Sequence, residues 1–178
     1  GIHINWPSSF RRSGTWYEPG PIEPSKNYDE QVTELTDFLN SAKAYNSTIK
    51  PLGLNLKYAA LKPALNGDEN FYIHVDGEKA IRDVLKFIKA NDIKKPVIIG
   101  GREGDKVATE LVAMNVPVVA GRVHDLPARE DEDFDMPYKF PKLLADKGVM
   151  VALENSGSME RHQARNFPFY AGTVAGYG

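Results

Sequence analysis

Three stretches of the chain share one pattern: an apolar run that stops on a polar or glycine-rich turn and gives way to helical spacing. They are Phe71-Tyr72-Ile73-His74-Val75-Asp76-Gly77, Val97-Ile98-Ile99-Gly100-Gly101-Arg102 and Val149-Met150-Val151-Ala152-Leu153-Glu154-Asn155-Ser156-Gly157. A shorter run, Pro117 to Ala120, reads as a fourth strand. Between them Ile81, Val84, Leu85 and Ile88 mark one face of a helix over 77–91, with Asp76 as its expected cap. Val107, Leu111, Val112 and Met114 mark a second helix over 103–114, and a short helix is expected near 138–146. Strands alternating with helices at roughly 20–30 residue spacing predict βαβ units and a parallel sheet. The strands are continuous apolar runs, which predicts cover on both faces.

Upstream the pattern changes. Residues 1–28 carry Pro7, Gly14, Pro19, Gly20, Pro21 and Pro24 with Trp6, Trp16 and Tyr17 among them, and read as an irregular segment lying over a core. Val32, Leu35, Phe38, Leu39 and Ala42 then predict a helix from Asp29. A second helical pattern runs from Leu56 to about Leu65, interrupted by Pro63 and closed by Asn66-Gly67. At 178 residues the chain fits a single domain, 1–178, divided into an irregular 1–28, a helical 29–66 and the βα units of 71–178. A terminal apolar helix is expected around Asn166 to Gly176.

Composition narrows the function more by exclusion. With 22 basic and 24 acidic residues the net charge is -2, so neither nucleic acid nor membrane is expected as a partner. Charged residues are 26% of the chain and hydrophobic ones 42%, and no apolar run reaches the ~20 residues of a membrane span, so a soluble protein is expected. Whether it is cytoplasmic or exported stays open, and Gly1 suggests a longer parent. There is no cysteine, which removes disulfides, thiolate metal sites and thiol nucleophiles. Metal chemistry would rest on carboxylates and on four histidines, His3, His74, His124 and His162.

Parallel α/β folds place their chemistry at the carboxyl ends of strands. His74 ends the first strand, with Asp76 two residues on, and is the candidate metal ligand or general acid-base group. Gly100 and Gly101 join a strand to a helix and could cradle a phosphate with help from Arg102, although neither phosphate-loop glycine pattern is present. The acidic run Glu130 to Asp135 lacks the glycine of a calcium loop, Met136 standing in its place, and reads as solvated. Asn155-Ser156-Gly157-Ser158 lacks the glycine that a nucleophile elbow places two residues before its serine.

The order of Ile73-His74-Val75, Val97 to Gly101, Val116 to Gly121, Leu126-Pro127, Gly148 to Leu153 and Arg165 to Gly172 resembles the amidohydrolase superfamily, in particular its imidazolonepropionase-like branch. The resemblance runs from about Leu61 to the C-terminus and implies a partial (β/α)8 (TIM-type) barrel, with strands five to eight beginning near Phe71, Val97, Pro117 and Val149. It implies a metal-dependent hydrolase of C–N bonds in small, often cyclic, amides. Zinc or another divalent metal would be held by a His-x-His pair on strand one, at times a Lys or Glu on strand four, a His each on strands five and six, and an Asp on strand eight. On that pattern His74 takes the strand-five place, Gly100 stands in the strand-six place and Ser156 roughly in that of strand eight. The His-x-His pair would precede Gly1, so no metal and no turnover are expected of this chain alone; with Gly100 and Ser156 in two ligand places, the parent is either catalytically degenerate or, if active, a metal-dependent hydrolase in which His74 is a ligand or orients water. A small-molecule substrate is the implied partner of the parent. A doubly wound binding module for a phosphorylated or anionic ligand at Gly100–Gly104 is the alternative. Open sheet edges would further invite self-association, or capping by 1–28.

Overall fold

The computed structural model describes residues 1–178 apart from 16, 49–52, 128, 130, 156–159 and 178. Trp16, Glu130, Ser156 and Ser158, all named above, therefore lie outside the described residues.

Five parallel strands make the sheet: β1 (Ile2–Asn5), β4 (Phe71–Val75), β5 (Pro96–Gly100), β6 (Val118–Ala120) and β7 (Val151–Leu153), side by side in that order. A separate antiparallel hairpin, β2 (Phe10–Gly14) and β3 (Pro19–Pro24), projects from the loop after β1. The helices are α1 (Tyr28–Ser47), α2 (Leu56–Ala60), α3 (Lys62–Asn66), α4 (Glu78–Ala90), α5 (Ala108–Ala113), α6 (Met136–Asp146) and α7 (Phe167–Gly176). The α/β class, the parallel sheet and the flanking helices are those the sequence predicts.

The first correction concerns residues 1–28. Far from being irregular, their start forms β1, which lies parallel to β4 with Ile4 opposite Ile73 and Asn5 opposite His74. Apolar and polar residues alternate in Ile2-His3-Ile4-Asn5, and only Ile4 is buried. The second concerns the faces of the sheet. Ile4, Ile73, Ile98, Val118 and Val151 stand in one register row and pack into the core with Ile81, Val84 and Leu111 of the helices. The neighbouring row, Asn5, His74, Ile99, Val119 and Ala152, points the other way and is exposed or half-buried. Among the described residues one face of the sheet is therefore covered and the other open. The apolar runs did not show this, because β-branched residues occupy both faces of β5 and β6.

Local chemistry explains the element ends. Gly67, at φ +86°, closes α3 in the left-handed conformation that glycine adopts without strain. The helix expected over 103–114 begins as a 3-10 turn, Gly104–Val107, and becomes α-helical only at Ala108. Strand β7 starts two residues later than expected, because the Val149 amide still bonds to the Leu144 carbonyl at the end of α6. Asp76 does not cap α4. Gly77 holds the cap position, and the Glu103 carboxylate, from the loop after β5, accepts the Glu78 N–H at 2.8 Å.

Candidate functional site

The carboxyl ends of the strands surround a cleft of about 600 Å³, lined among others by Asn5, His74, Asp76, Arg102, Arg122 and Glu154. Of the residues named from the sequence, His74, Asp76, Gly100 and Arg102 line it together with Asn5 and Arg122, whereas Gly101 is not among its lining residues.

His74 is held by a second histidine. His3 Nδ1 lies 2.9 Å from His74 Nε2, so one ring donates and the other accepts. The His3 ring also stacks on Tyr72, with centroids 4.9 Å apart and planes inclined by 23°. These contacts follow from the parallel pairing, which sets His3 opposite Tyr72 and Asn5 opposite His74. Beyond Asn5 the Trp6 amide donates to the His74 carbonyl at 3.1 Å, and the Trp6 indole N–H donates to the Tyr28 hydroxyl at 3.0 Å. Burial, and then the charge of His3, lower the His74 pKa below the ordinary histidine value; Glu154 and Asp76 act in the opposite sense and are outweighed. The ring is neutral at pH 7.

The Gly100-Gly101 turn is closely packed. Both glycines have positive φ, +95° and +67°. A Cβ on Gly100 would sit 2.5 Å from the Asp76 carboxylate oxygen, and one on Gly101 2.8 Å from a methyl of Val118. The Gly101 amide donates to the Val75 carbonyl at 2.8 Å, the Glu103 amide to the Asp76 carbonyl at 3.0 Å, and the Gly104 amide to the Gly101 carbonyl at 2.8 Å. These three amides are thus already bonded within the fold, where a phosphate cradle would need them free. Arg102, expected to assist an anion, is paired with Asp125.

Glu103 fixes the turn from the other side. It accepts from the Glu78 amide at 2.8 Å, from Lys106 at 2.5 Å and from Arg129 at 3.0 Å. Burial is the largest influence on its pKa and pushes upward. The hydrogen bonds from Lys106 and the Glu78 amide, with the charges of Lys106 and Arg129, outweigh it and hold the carboxyl below its usual range.

The donor set bears on a metal. Gly100 offers no side-chain ligand in the strand-six place, His74 Nε2 is turned to His3, and no group of three or more His, Cys, Asp or Glu among the described residues could hold a metal ion. A catalytic zinc needs about three protein ligands. The described residues do not fit the metal centre that the amidohydrolase resemblance implies. Of the other histidines, His124 lies in the loop after β6 and bonds through Nε2 to the Thr173 hydroxyl at 2.8 Å, with its ring edge-on to Tyr170. Since that hydroxyl donates to the Phe169 carbonyl, His124 is the donor in the pair.

Sequence reasoning named His3 only as one of four histidines and passed over Asn5. The available signal was a repeat: Ile2-His3-Ile4-Asn5 echoes Ile73-His74-Val75-Asp76 in placing a histidine between apolar residues and a polar side chain two positions on.

No helix among the described residues is long and apolar enough to cross a membrane. No protein-family model and no curated protein matches the chain. Among solved structures, an amidohydrolase from Thermotoga maritima MSB8 superposes with a TM-score of 0.63 at 18% sequence identity. The superposition covers 84% of this chain and 38% of that one. At that identity the likeness is one of fold: an α/β, five-stranded parallel sheet with flanking helices, corresponding to part of an amidohydrolase barrel.

Proposed function

We propose that this chain is the portion of an amidohydrolase-type barrel running from strand four to strand eight, and that its strand-end cleft binds a small, amide-bearing molecule. The imidazolonepropionase-like branch is the one its residues resemble. β1 then takes the strand-four place, and Asn5 faces His74 across the register where that family at times carries a bridging Lys or Glu. The observation carrying this reading is His74, a neutral imidazole at the end of β4, lining the cleft of an amidohydrolase-like sheet.

Hydrolysis of a C–N bond requires a proton to leave the attacking water and another to reach the departing nitrogen. Neutral His74 suits both transfers, and Asp76 and Glu154 favour the imidazolium that would form between them. His3 fixes the ring through Nε2, which leaves Nδ1 as the exchanging atom. No step is routed through a metal, because the described donors do not assemble a site for one.

Metal analysis of the purified chain tests this directly. The expected result is less than one zinc or manganese per chain, unchanged in His74→Ala. One tightly bound metal per chain, lost on His74→Ala, would replace this reading with that of a metal-dependent hydrolase.

A further inference from the structure

The charges lining the cleft divide unequally between committed and uncommitted groups. Its basic side chains are all engaged: Lys79 with Asp83 at 3.2 Å, Arg102 with Asp125, and Arg122 through Nε with the His124 carbonyl at 3.0 Å. Two acidic ones are also tied, Glu78 to Arg82 at 3.2 Å and Glu103 to Lys106 and Arg129. Glu154 has interactions of its own. The Asp76 carboxylate differs. No side chain or amide among the described residues donates to it, and its charge acts on His74. Asp76 is exposed and lies over the turn, with Oδ1 2.5 Å and Cγ 3.2 Å from where a Cβ on Gly100 would sit.

We infer that Asp76 is the specificity-determining residue of the cleft and selects ligands presenting a cationic nitrogen or paired N–H donors, such as amidinium, guanidinium or amide groups. Gly100, at φ +95°, carries no side chain and leaves room for this carboxylate over the end of β5. A carboxylate accepts two parallel N–H bonds from such a group, and an ionised acceptor strengthens them. Asn5, opposite His74, is exposed and offers one carbonyl and one amino group to the remainder of the ligand. Anions are disfavoured, because the cations they would need already have partners. This rests on the cleft being the ligand site and specifies what it takes.

Three near-isosteric probes separate the possibilities: benzamidinium, benzamide and benzoate, titrated into the full chain and followed by backbone amide shifts. The expected order of affinity is benzamidinium, then benzamide, then benzoate, with shifts at Gly77, Gly100 and Gly101. Asp76→Asn, checked for an unchanged amide spectrum elsewhere, should weaken benzamidinium about tenfold, the low end for a charge-assisted hydrogen bond once solvent screening is allowed for, and leave benzamide nearly unchanged. Benzoate binding tightest at the same amides, or benzamidinium indifferent to Asp76→Asn, would overturn the assignment while leaving the cleft as the site. Shifts confined to other regions, or no shifts with any probe, would overturn the assignment together with the cleft reading.

Discussion

Replacing Gly101 with alanine tests the view that the Gly100-Gly101 turn is set by sterics instead of by ligand binding. Residue 101 sits at φ +67°, where an L side chain costs about 1–2 kcal/mol. The new methyl would lie 2.8 Å from Val118 Cγ1 and 3.3 Å from Ile98 Cγ2, and those residues are 1% and 0% exposed. Neither can move away without disturbing the row of residues that packs on the helices. Overpacking of this kind costs about 1–3 kcal/mol, and the reduced freedom of the unfolded chain returns about 0.4–1 kcal/mol. The net loss is about 2–4 kcal/mol, or roughly 5–15 °C in Tm for a chain of this size. Gly100→Ala carries backbone strain of the same kind, at φ +95°, but its nearest steric obstacle is the far end of the Asp76 side chain, at 2.5 Å. Combining it with Asp76→Ala should therefore recover part of the loss, a coupling of about 0.5–3 kcal/mol, whereas Gly101→Ala and Asp76→Ala should add to within about 0.5 kcal/mol. Urea and thermal unfolding of the five variants read these numbers. A Tm for Gly101→Ala within about 2 °C of the parent, or no coupling at position 100, would refute the steric account.

Two further predictions concern ionisation. His74 titrates below the ordinary histidine value of about 6.5, so the unfolded chain binds the proton more readily than the folded one. Stability should be fully present above that value and decline as pH falls through the lowered pKa. His74→Gln should flatten the change in urea midpoint between pH 7.5 and 5, and an undiminished slope would contradict the shift. Glu103→Gln loses the charge that holds Lys106 and Arg129 while keeping an oxygen for the Glu78 amide, whereas Glu103→Ala also uncaps α4. The alanine variant should cost about 1–2 kcal/mol and raise hydrogen exchange at Glu78 to Ala80. The glutamine variant should cost less and remove the part of the acid sensitivity that appears below the usual glutamate pKa, as pH falls through the depressed value of Glu103.

The sequence was legible where an element is built from its own residues. Phe71, Ile73 and Val75 are buried on one side of β4, and Ile81, Val84, Leu85 and Ile88 on one side of α4, as their spacing predicts. It was illegible where the partner is distant. β1 is four residues long and its partner strand begins at Phe71; the short alternation Ile2-His3-Ile4-Asn5 is too brief to say which strand it joins. The hairpin was read as irregular because Pro19, Pro21 and Pro24 remove amide donors, yet one antiparallel partner and an edge position accommodate them. For the site, the position of His74 at a strand end was readable and its hydrogen bond to His3 was not. The glycines were recognised, but only the fold shows that Asp76 and Val118 fill the space a side chain would need.

The cap on α4 has a bearing on how the chain is made. Glu103 follows the helix by more than one full strand, and the Gly101 and Glu103 amides bond back to the Val75 and Asp76 carbonyls at the helix entrance. On a ribosome, α4 is synthesised entire before the carboxylate that completes its first turn exists. The β4–α4 unit is thus left unfinished until β5 and the turn after it arrive, an arrangement that couples the first turn of this helix to the next strand.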